Sequence, residues 1–141
     1  MAHLFPSAPW TAAYQAAVNE NPRYAEAGKE WIHGPVALVV RADPAIDLSE
    51  DMAVLLDVHA GQCRAATYTT GSEARSAAAF AVEGPYDNWK TLIVQNLDPI
   101  KALMQGKFKL TKGHLPTIIR YVESSKQLLA SAQHVTTEFR R

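Results

Sequence analysis

A β-hairpin signature in the middle of the chain constrains the fold more than any other feature of the sequence. Along residues 52–59, the even-numbered positions 54 to 58 are Val or Leu and fall on one face of an extended strand. The connection Ala60-Gly61-Gln62 is short enough for a hairpin turn. Residues 63–70 supply the returning strand. Strands joined by so short a turn are antiparallel neighbours, so the fold contains an antiparallel sheet.

Three more segments have strand character, and helical segments surround them. The strands are the β-branched run 36–40, the alanine-rich segment 77–83 and the segment 107–112, which alternates polar and apolar residues as a half-buried edge strand does. This order predicts an α+β fold with a five-stranded, mixed, mostly antiparallel sheet covered by helices. Helices are expected from a cap at Ser7 or Thr11 to Asn21-Pro22, at 23–31, after Trp89, at 99–105 and at 115–133, with a frayed tail at 135–141.

The length and charge narrow the class of protein. The chain has 141 residues, of which 48% are apolar, which fits a single domain over residues 1–141 with its own core. Lys and Arg number 14 and Asp and Glu also number 14, so the formal charge is zero. A nucleic-acid partner or a polybasic membrane anchor normally requires a basic excess, so neither is expected.

The location and assembly follow from what the sequence lacks. No apolar run approaches the ~18 residues that a transmembrane helix needs. Residues 1–10 lack the charged and apolar regions of a signal peptide. We therefore expect a soluble cytoplasmic protein, either a monomer or a homodimer. The single cysteine, Cys63, excludes an intramolecular disulfide and a cysteine-based zinc cluster.

The familiar motifs of catalysis, phosphate binding and metal binding are missing, so no catalytic residue, cofactor or metal is predicted. Two local arrangements remain open. Asp57 and His59 share one face of a strand and form either an acid–base pair in a cleft or the solvent side of that strand. Cys63 lies beside Arg64 and is either a thiol with a lowered pKa or a small apolar residue of the core.

Alanine and aromatic residues raise two further questions. Small side chains on a sheet either let a helix pack closely or leave a void, and a void in a core tends to hold a ligand. Tyr86 and Trp89 either form an aromatic lid or anchor their loop to the core. The alanines in question are Ala65, Ala66, Ala77, Ala78, Ala79 and Ala81.

The second half of the chain resembles the sterol carrier protein family of sterol and lipid transfer proteins. Residues 103–113 read LMQGKFKLTKG, which is similar to the family's closing signature of a helix ending in Gly-Lys, an alternating strand and a Lys-Gly turn. The aromatic spacing of Tyr86 and Trp89 after the segment 80–83 also fits. Tyr24 ahead of Trp31 is similar to the prokaryotic branch.

The resemblance implies a five-stranded sheet whose helices enclose an apolar cavity for a fatty acid, acyl-CoA or sterol-like lipid. The implied function is non-enzymatic binding, and transfer, of that ligand. Two alternatives stay open: a small enzyme that uses Asp57 and His59, or His114, on an apolar substrate, and an interaction module that dimerises through the edge at 107–112. The residues expected to line the cavity are Phe80, Val82, Trp89, Leu103, Met104, Phe108, Leu110, Ile118, Ile119 and Val122.

Overall fold

The first helix of the chain is capped by a short-range side-chain hydrogen bond. The computed structural model describes residues 2–140 and begins with β1 (His3–Phe5), α1 (Ala8–Asn19) and α2 (Pro22–Ala27). The Ser7 hydroxyl accepts a hydrogen bond from the Trp10 amide at 3.1 Å, so the helix cap lies at Ser7 rather than Thr11. The second helix ends before Gly28, earlier than the sequence predicts.

The main sheet contains the five strands that the sequence predicts. Its strands are β2 (Val36–Val40), β3 (Met52–His59), β4 (Gln62–Thr70), β5 (Phe80–Gly84) and β6 (Lys109–Lys112). They lie in the order β4-β3-β2-β5-β6, with β2 and β5 parallel and the other neighbours antiparallel. The predicted α+β fold with a mixed, mostly antiparallel five-stranded sheet is confirmed, and β6 is an edge strand as its alternation indicates.

The segment that precedes β5 differs from the prediction. The sequence predicts a strand over 77–83, but Ala77 is the last residue of the helix α3 (Gly71–Ala77), and β5 begins only at Phe80. The Thr70 hydroxyl caps α3 by accepting from the Glu73 amide at 3.2 Å. The helix ends where the alanine run 77–79 begins, because Ala77 is its last residue and Ala78 has an extended backbone with φ of −81° and ψ of 151°. Its formation depends on the Thr70 cap and on Glu73 and Arg75, whose charges suit its first and last turns.

The alanines provide close packing rather than a void. Ala74 of α3 and Ala78, directly after that helix, pack against Ala37, Ala53 and Ala81, which lie on the back face of the sheet. Small side chains on both partners let the helix approach the strands closely. Of the other four candidates, Ala77 ends α3 and Ala79 lies between α3 and β5. Ala65 and Ala66 lie on β4, which is not a neighbour of β5.

The C-terminal half differs from expectation at three places, the first being that a helix begins at Tyr86 and not after Trp89. It contains α4 (Tyr86–Gln95), α5 (Pro99–Met104), α6 (Leu115–Arg120), α7 (Val122–Ala130) and β7 (Thr137–Phe139). The helix predicted over 115–133 is broken at Tyr121, whose φ of −108° and ψ of 39° interrupt the helical backbone. The expected frayed tail instead pairs with the N-terminus as the parallel ladder β1–β7; of that tail, Arg141 lies outside the described residues.

The tail is ordered by contacts with residues far away in the sequence. The Phe139 ring lies 6.3 Å from that of Phe5. The Arg140 amide donates to the Tyr86 hydroxyl at 2.6 Å. The local sequence has no signal for either contact, which explains the wrong prediction.

The principal core occupies the front face of the sheet. Val36 and Leu38 of β2, Leu56 of β3 and Phe80 of β5 project from that face, because paired positions in neighbouring strands share a side. All are buried against the aromatic and aliphatic side chains of the helices that cover this face. The back face, by contrast, is covered by α3. The two faces therefore differ in what space they leave beneath the helices.

Candidate functional site

An apolar cavity of about 60 Å³ lies between the front face of the sheet and the helices above it. Strands β2, β3 and β5 form its floor, and helices α5, α6 and α7 form its roof. It is lined by Tyr24, Trp31, Val36, Leu38, Val58, Val82, Trp89, Leu92, Pro99, Leu103, Phe108, Ile118, Ser124, Ser125, Leu128 and Leu129.

The floor is held in place by the register of the strands. Leu38 of β2 lies directly opposite Val82 of β5, and Val36 lies opposite Phe80. Both β2 and β5 are hydrogen-bonded on each side, since each is interior to the sheet. A floor of this kind is rigid, so any change in the size of the cavity must come from the roof.

One wall is an aromatic pair. The rings of Trp89 and Phe108 meet edge to face with centroids 4.6 Å apart. The Trp89 indole Nε1 donates to the carbonyl of Val39 at 2.9 Å, which fixes the ring against the sheet. Tyr86 and Trp89 are both buried. Of the two sequence-based alternatives, they anchor their segment to the core and do not form an exposed lid.

The polar groups at the cavity include three side-chain hydroxyls. Tyr24 from α2 and Ser124 and Ser125 from α7 supply them, and among the described residues that line the cavity none carries a charge. Burial and, to a smaller extent, Cys63 raise the pKa of Tyr24 to about 12, against the opposing effect of a hydrogen bond with Ser124. The phenol therefore keeps its proton at neutral pH and can both donate and accept a hydrogen bond.

The structure brings half of the ten expected wall residues to this cavity: Val82, Trp89, Leu103, Phe108 and Ile118. The others lie elsewhere. Phe80 is buried against the ring of Trp31, 5.1 Å away, and Leu110 is half-buried at the edge. Met104, Ile119 and Val122 are 74%, 45% and 37% exposed. That the five lining residues bind a ligand stays a prediction.

Helix geometry explains why neighbouring residues separate. Successive residues on a helix point about 100° apart, so Leu103 faces the cavity while Met104 faces solvent. The same relation places Ile118 inside and Ile119 outside. The break at Tyr121 then turns Val122 away from the face that a continuous helix would have given it.

Sequence reasoning missed contributors from α2, β2 and α7. Val36 and Leu38 were within reach of it, because they alternate along a predicted strand and one face of that strand must be buried. Tyr24 and Ser124 were not, since they meet only when α2 packs against α7. No local pattern records that contact.

The alternative chemical candidates do not reach the cavity. The Asp57 carboxylate pairs with Arg64 at 3.0 Å, His59 is exposed, and neither residue lines the space. Cys63 is buried, and burial raises the pKa of its thiol to about 11, as does the nearby Asp57. The thiol is therefore not activated, and it behaves as a small core residue.

The described residues contain neither a metal-binding cluster nor a membrane-spanning helix. Within residues 2–140, no group of three or more His, Cys, Asp or Glu is arranged to hold a metal ion. In the same residues, every helix is too short or too polar to cross a bilayer.

Comparison with known proteins shows the family. Residues 25–113 match the SCP-2 sterol transfer family. The chain belongs to this family. Membership confirms the resemblance in residues 103–113, although α6 and α7, which roof much of the cavity, follow the matched segment.

Solved structures extend the SCP-2 likeness over nearly the whole chain. A crystal structure of sterol carrier protein 2 is 32% identical, covers 92% of this chain and 97% of its own, and superimposes with a TM-score of 0.84. The solution structure of a conserved hypothetical protein of Thermus thermophilus is 31% identical, covers 94% and 90%, and has a TM-score of 0.83. In both, the likeness extends well beyond the segment 25–113 that matches the family.

A more distant SCP-2 structure shows the fold alone. Sterol carrier protein 2 of Yarrowia lipolytica, in its apo form, is 16% identical over 92% of this chain and 93% of its own, with a TM-score of 0.56. Among curated proteins, no sequence matches this chain.

Proposed function

We propose that this SCP-2 family member is a carrier that binds the apolar body of a lipid reversibly between the sheet and helices α5, α6 and α7. The observation that carries the proposal is the cavity, whose lining is almost entirely aliphatic and aromatic. Each CH₂ moved from water into such a space contributes about 0.8 kcal/mol. Affinity of this kind needs no catalytic residue.

The cavity must widen to admit a lipid. Its volume of about 60 Å³ is well below the roughly 300 Å³ of the smallest ordinary ligand pockets. The roof supports an opening motion, because from Leu103 to Glu123 only Phe108 and Ile118 are buried. Segments with few buried apolar contacts are those that open at low free energy. We therefore assign the motion to this roof and not to the sheet.

The chemistry of the lining sets the orientation of the ligand. A carboxylate drawn fully inside would lose its hydration without gaining a counter-ion, which is strongly unfavourable. A hydroxyl or ester oxygen can instead hydrogen-bond to Tyr24, Ser124 or Ser125. A fatty acid or acyl-CoA then enters by its tail and leaves its charged head at the mouth, whereas a sterol-like alcohol can enter completely.

Ligand binding is tested in two steps. Protein purified under mild conditions is analysed by native mass spectrometry for a co-purifying lipid, and the displacement of a fluorescent fatty alcohol by acyl chains and sterols is then measured. We expect displacement by long-chain compounds and little by chains too short to span the cavity. Absence of both a bound lipid and any displacement would contradict the proposal.

A further inference from the structure

The charge of this chain is balanced overall but divided along the sequence. Residues 99–122 contain five basic side chains, Lys101, Lys107, Lys109, Lys112 and Arg120, and no Asp or Glu. The remaining 117 residues therefore hold nine basic and 14 acidic side chains. In the described chain, none of the five forms an ion pair with a carboxylate.

The same segment holds most of the large apolar side chains that the fold leaves exposed. Met104, Leu115, Ile119 and Val122 are 37% to 74% exposed, and outside the segment only Ile32 and Val94 are comparable among the described residues. Exposed apolar side chains next to unpaired cations are typical of surfaces that lie on a lipid bilayer.

This basic and apolar surface is the outer side of the cavity roof. Leu103 and Ile118 line the cavity, and the adjoining Met104 and Ile119 face outward. Lys107 likewise precedes Phe108, which forms part of the wall. The segment thus has one side toward the proposed ligand and one toward solvent. Lys112 is set apart, because its Nζ donates to the Arg75 carbonyl at 2.8 Å.

We infer that the outer side of the roof is a docking surface for anionic lipid bilayers, at which the cavity opens to exchange its ligand. We name it the roof surface and define it by Lys101, Met104, Lys107, Ile119 and Arg120. The inference rests on the proposed function, since it assigns the membrane as the source and destination of the carried lipid. Near an anionic surface each Lys or Arg strengthens binding about fivefold.

The observations favour a bilayer over a nucleic acid. A nucleic acid would use the cations alone and would usually stack bases on exposed aromatic rings, whereas this surface presents Met and Ile. Salt limits the attraction of each exposed cation to about a Debye length, ~10 Å at 0.1 M, and a net charge of zero gives the chain as a whole no attraction to an anionic surface. The roof surface must therefore face the bilayer directly, which brings the cavity to the membrane.

Vesicle co-sedimentation tests the docking. Vesicles of phosphatidylcholine alone are compared with vesicles in which phosphatidylserine replaces a third of the lipid. We expect binding to the anionic vesicles, with most of it lost at about 1 M NaCl. The triple variant Lys101→Gln, Lys107→Gln, Arg120→Gln should bind roughly a hundredfold more weakly, since three contributions of about fivefold are removed.

Matched variants separate the roof surface from general charge and hydrophobicity. Arg23→Gln, Lys29→Gln and Lys90→Gln together remove the same charge from exposed positions elsewhere and should leave binding unchanged. Met104→Ser with Ile119→Ser should weaken binding, whereas Ile32→Ser with Val94→Ser should not. Equal binding to neutral and anionic vesicles, or equal losses in both members of a pair, would overturn the inference.

A vesicle-free measurement keeps this inference distinct from the proposed function. The uncharged fatty alcohol probe is displaced in solution for each variant. Intact displacement without roof-dependent vesicle binding overturns the docking surface alone. Roof-dependent vesicle binding without any displacement supports the surface and overturns the carrier function. A preference for a soluble polyanion such as heparin over anionic vesicles would overturn the choice of a bilayer.

Discussion

Arg75 and Glu83 form a bidentate ion pair on the back face of the sheet. The Arg75 Nε lies 2.7 Å from Oε2 of Glu83, and Nη2 lies 2.8 Å from Oε1. Nη2 also reaches Asp51 at 2.7 Å, and Thr111 of the edge strand donates to the same Glu83 carboxylate. The pair therefore ties α3 to β5 and β6, on the opposite side of the sheet from the cavity.

Removal of Arg75 is expected to destabilise the protein. Arg75→Met leaves the Glu83 carboxylate, which is only 6% exposed, without its main partner. We expect a loss of about 2–4 kcal/mol, somewhat below the range for fully buried pairs because the Arg75 side chain is partly exposed. Urea denaturation measures the loss. Arg41→Met is the matched control, since Arg41 lies 4.0 Å from Glu83 and is more exposed; equal losses would contradict the assignment.

The same cluster predicts loss of stability in acid. Hydrogen bonds from Arg75 lower the pKa of Glu83 against the opposing effect of burial. Burial also raises the pKa of Asp51, but the hydrogen bonds from Arg75 and Ala42 outweigh it and the pKa is lowered. Lowered native values stabilise the fold at a pH above the unfolded values, about 3.9 for Asp and 4.3 for Glu. This stabilisation is lost as the pH falls through the native values.

The acid dependence is measured by the free energy of unfolding at pH 7, 5, 4 and 3. We expect little change from pH 7 to 5 and a progressive fall below it. Glu83→Gln should be less stable at pH 7 and show a shallower fall. An unchanged slope in Glu83→Gln would mean that other carboxylates cause the acid loss.

The raised pKa of Tyr24 predicts that the stability of the fold also depends on pH in the alkaline range. Burial raises its pKa to about 12, above the value of about 10 in an unfolded chain. A raised native pKa gives stability that is complete below pH 10 and is lost as the pH rises through 12. Absorbance at 295 nm follows the ionisation. Tyr24→Phe should remove one phenol that ionises late, while the buried Tyr14 continues to ionise late. If the variant and the wild type show the same late increase in absorbance, the burial of Tyr24 is contradicted.

Two neighbouring isoleucines separate the inside of the roof from the outside. Ile118→Trp enlarges a side chain that lines the cavity, so we expect at least a tenfold loss of fatty alcohol binding and a destabilisation of about 1–3 kcal/mol from overpacking. Ile119→Trp places the same ring on the exposed side and should leave binding nearly unchanged. Circular dichroism and urea denaturation are used to check that both variants are folded. Equal effects on binding would show that the roof does not divide in this way.

Local sequence patterns predicted the structure correctly wherever neighbours in the sequence are also neighbours in space. The sequence predicted the hairpin at 60–62, the helix cap at Ser7 and the edge strand at 109–112, because short turns, caps and alternation act over a few residues. The family was legible in residues 103–113 for the same reason. The basic roof surface was also present in the sequence, but a total charge of zero concealed it.

The sequence alone determined the five strands of the main sheet, their mostly antiparallel arrangement and the apolar character of the core, because these depend on alternation and short connections. The tertiary structure alone decided that residues 71–77 pack as a helix on the back face and that the tail pairs with β1. It also decided which of Leu103 and Met104, or of Ile118 and Ile119, faces the cavity. These outcomes depend on contacts between residues that are far apart along the chain, and no local pattern encodes them.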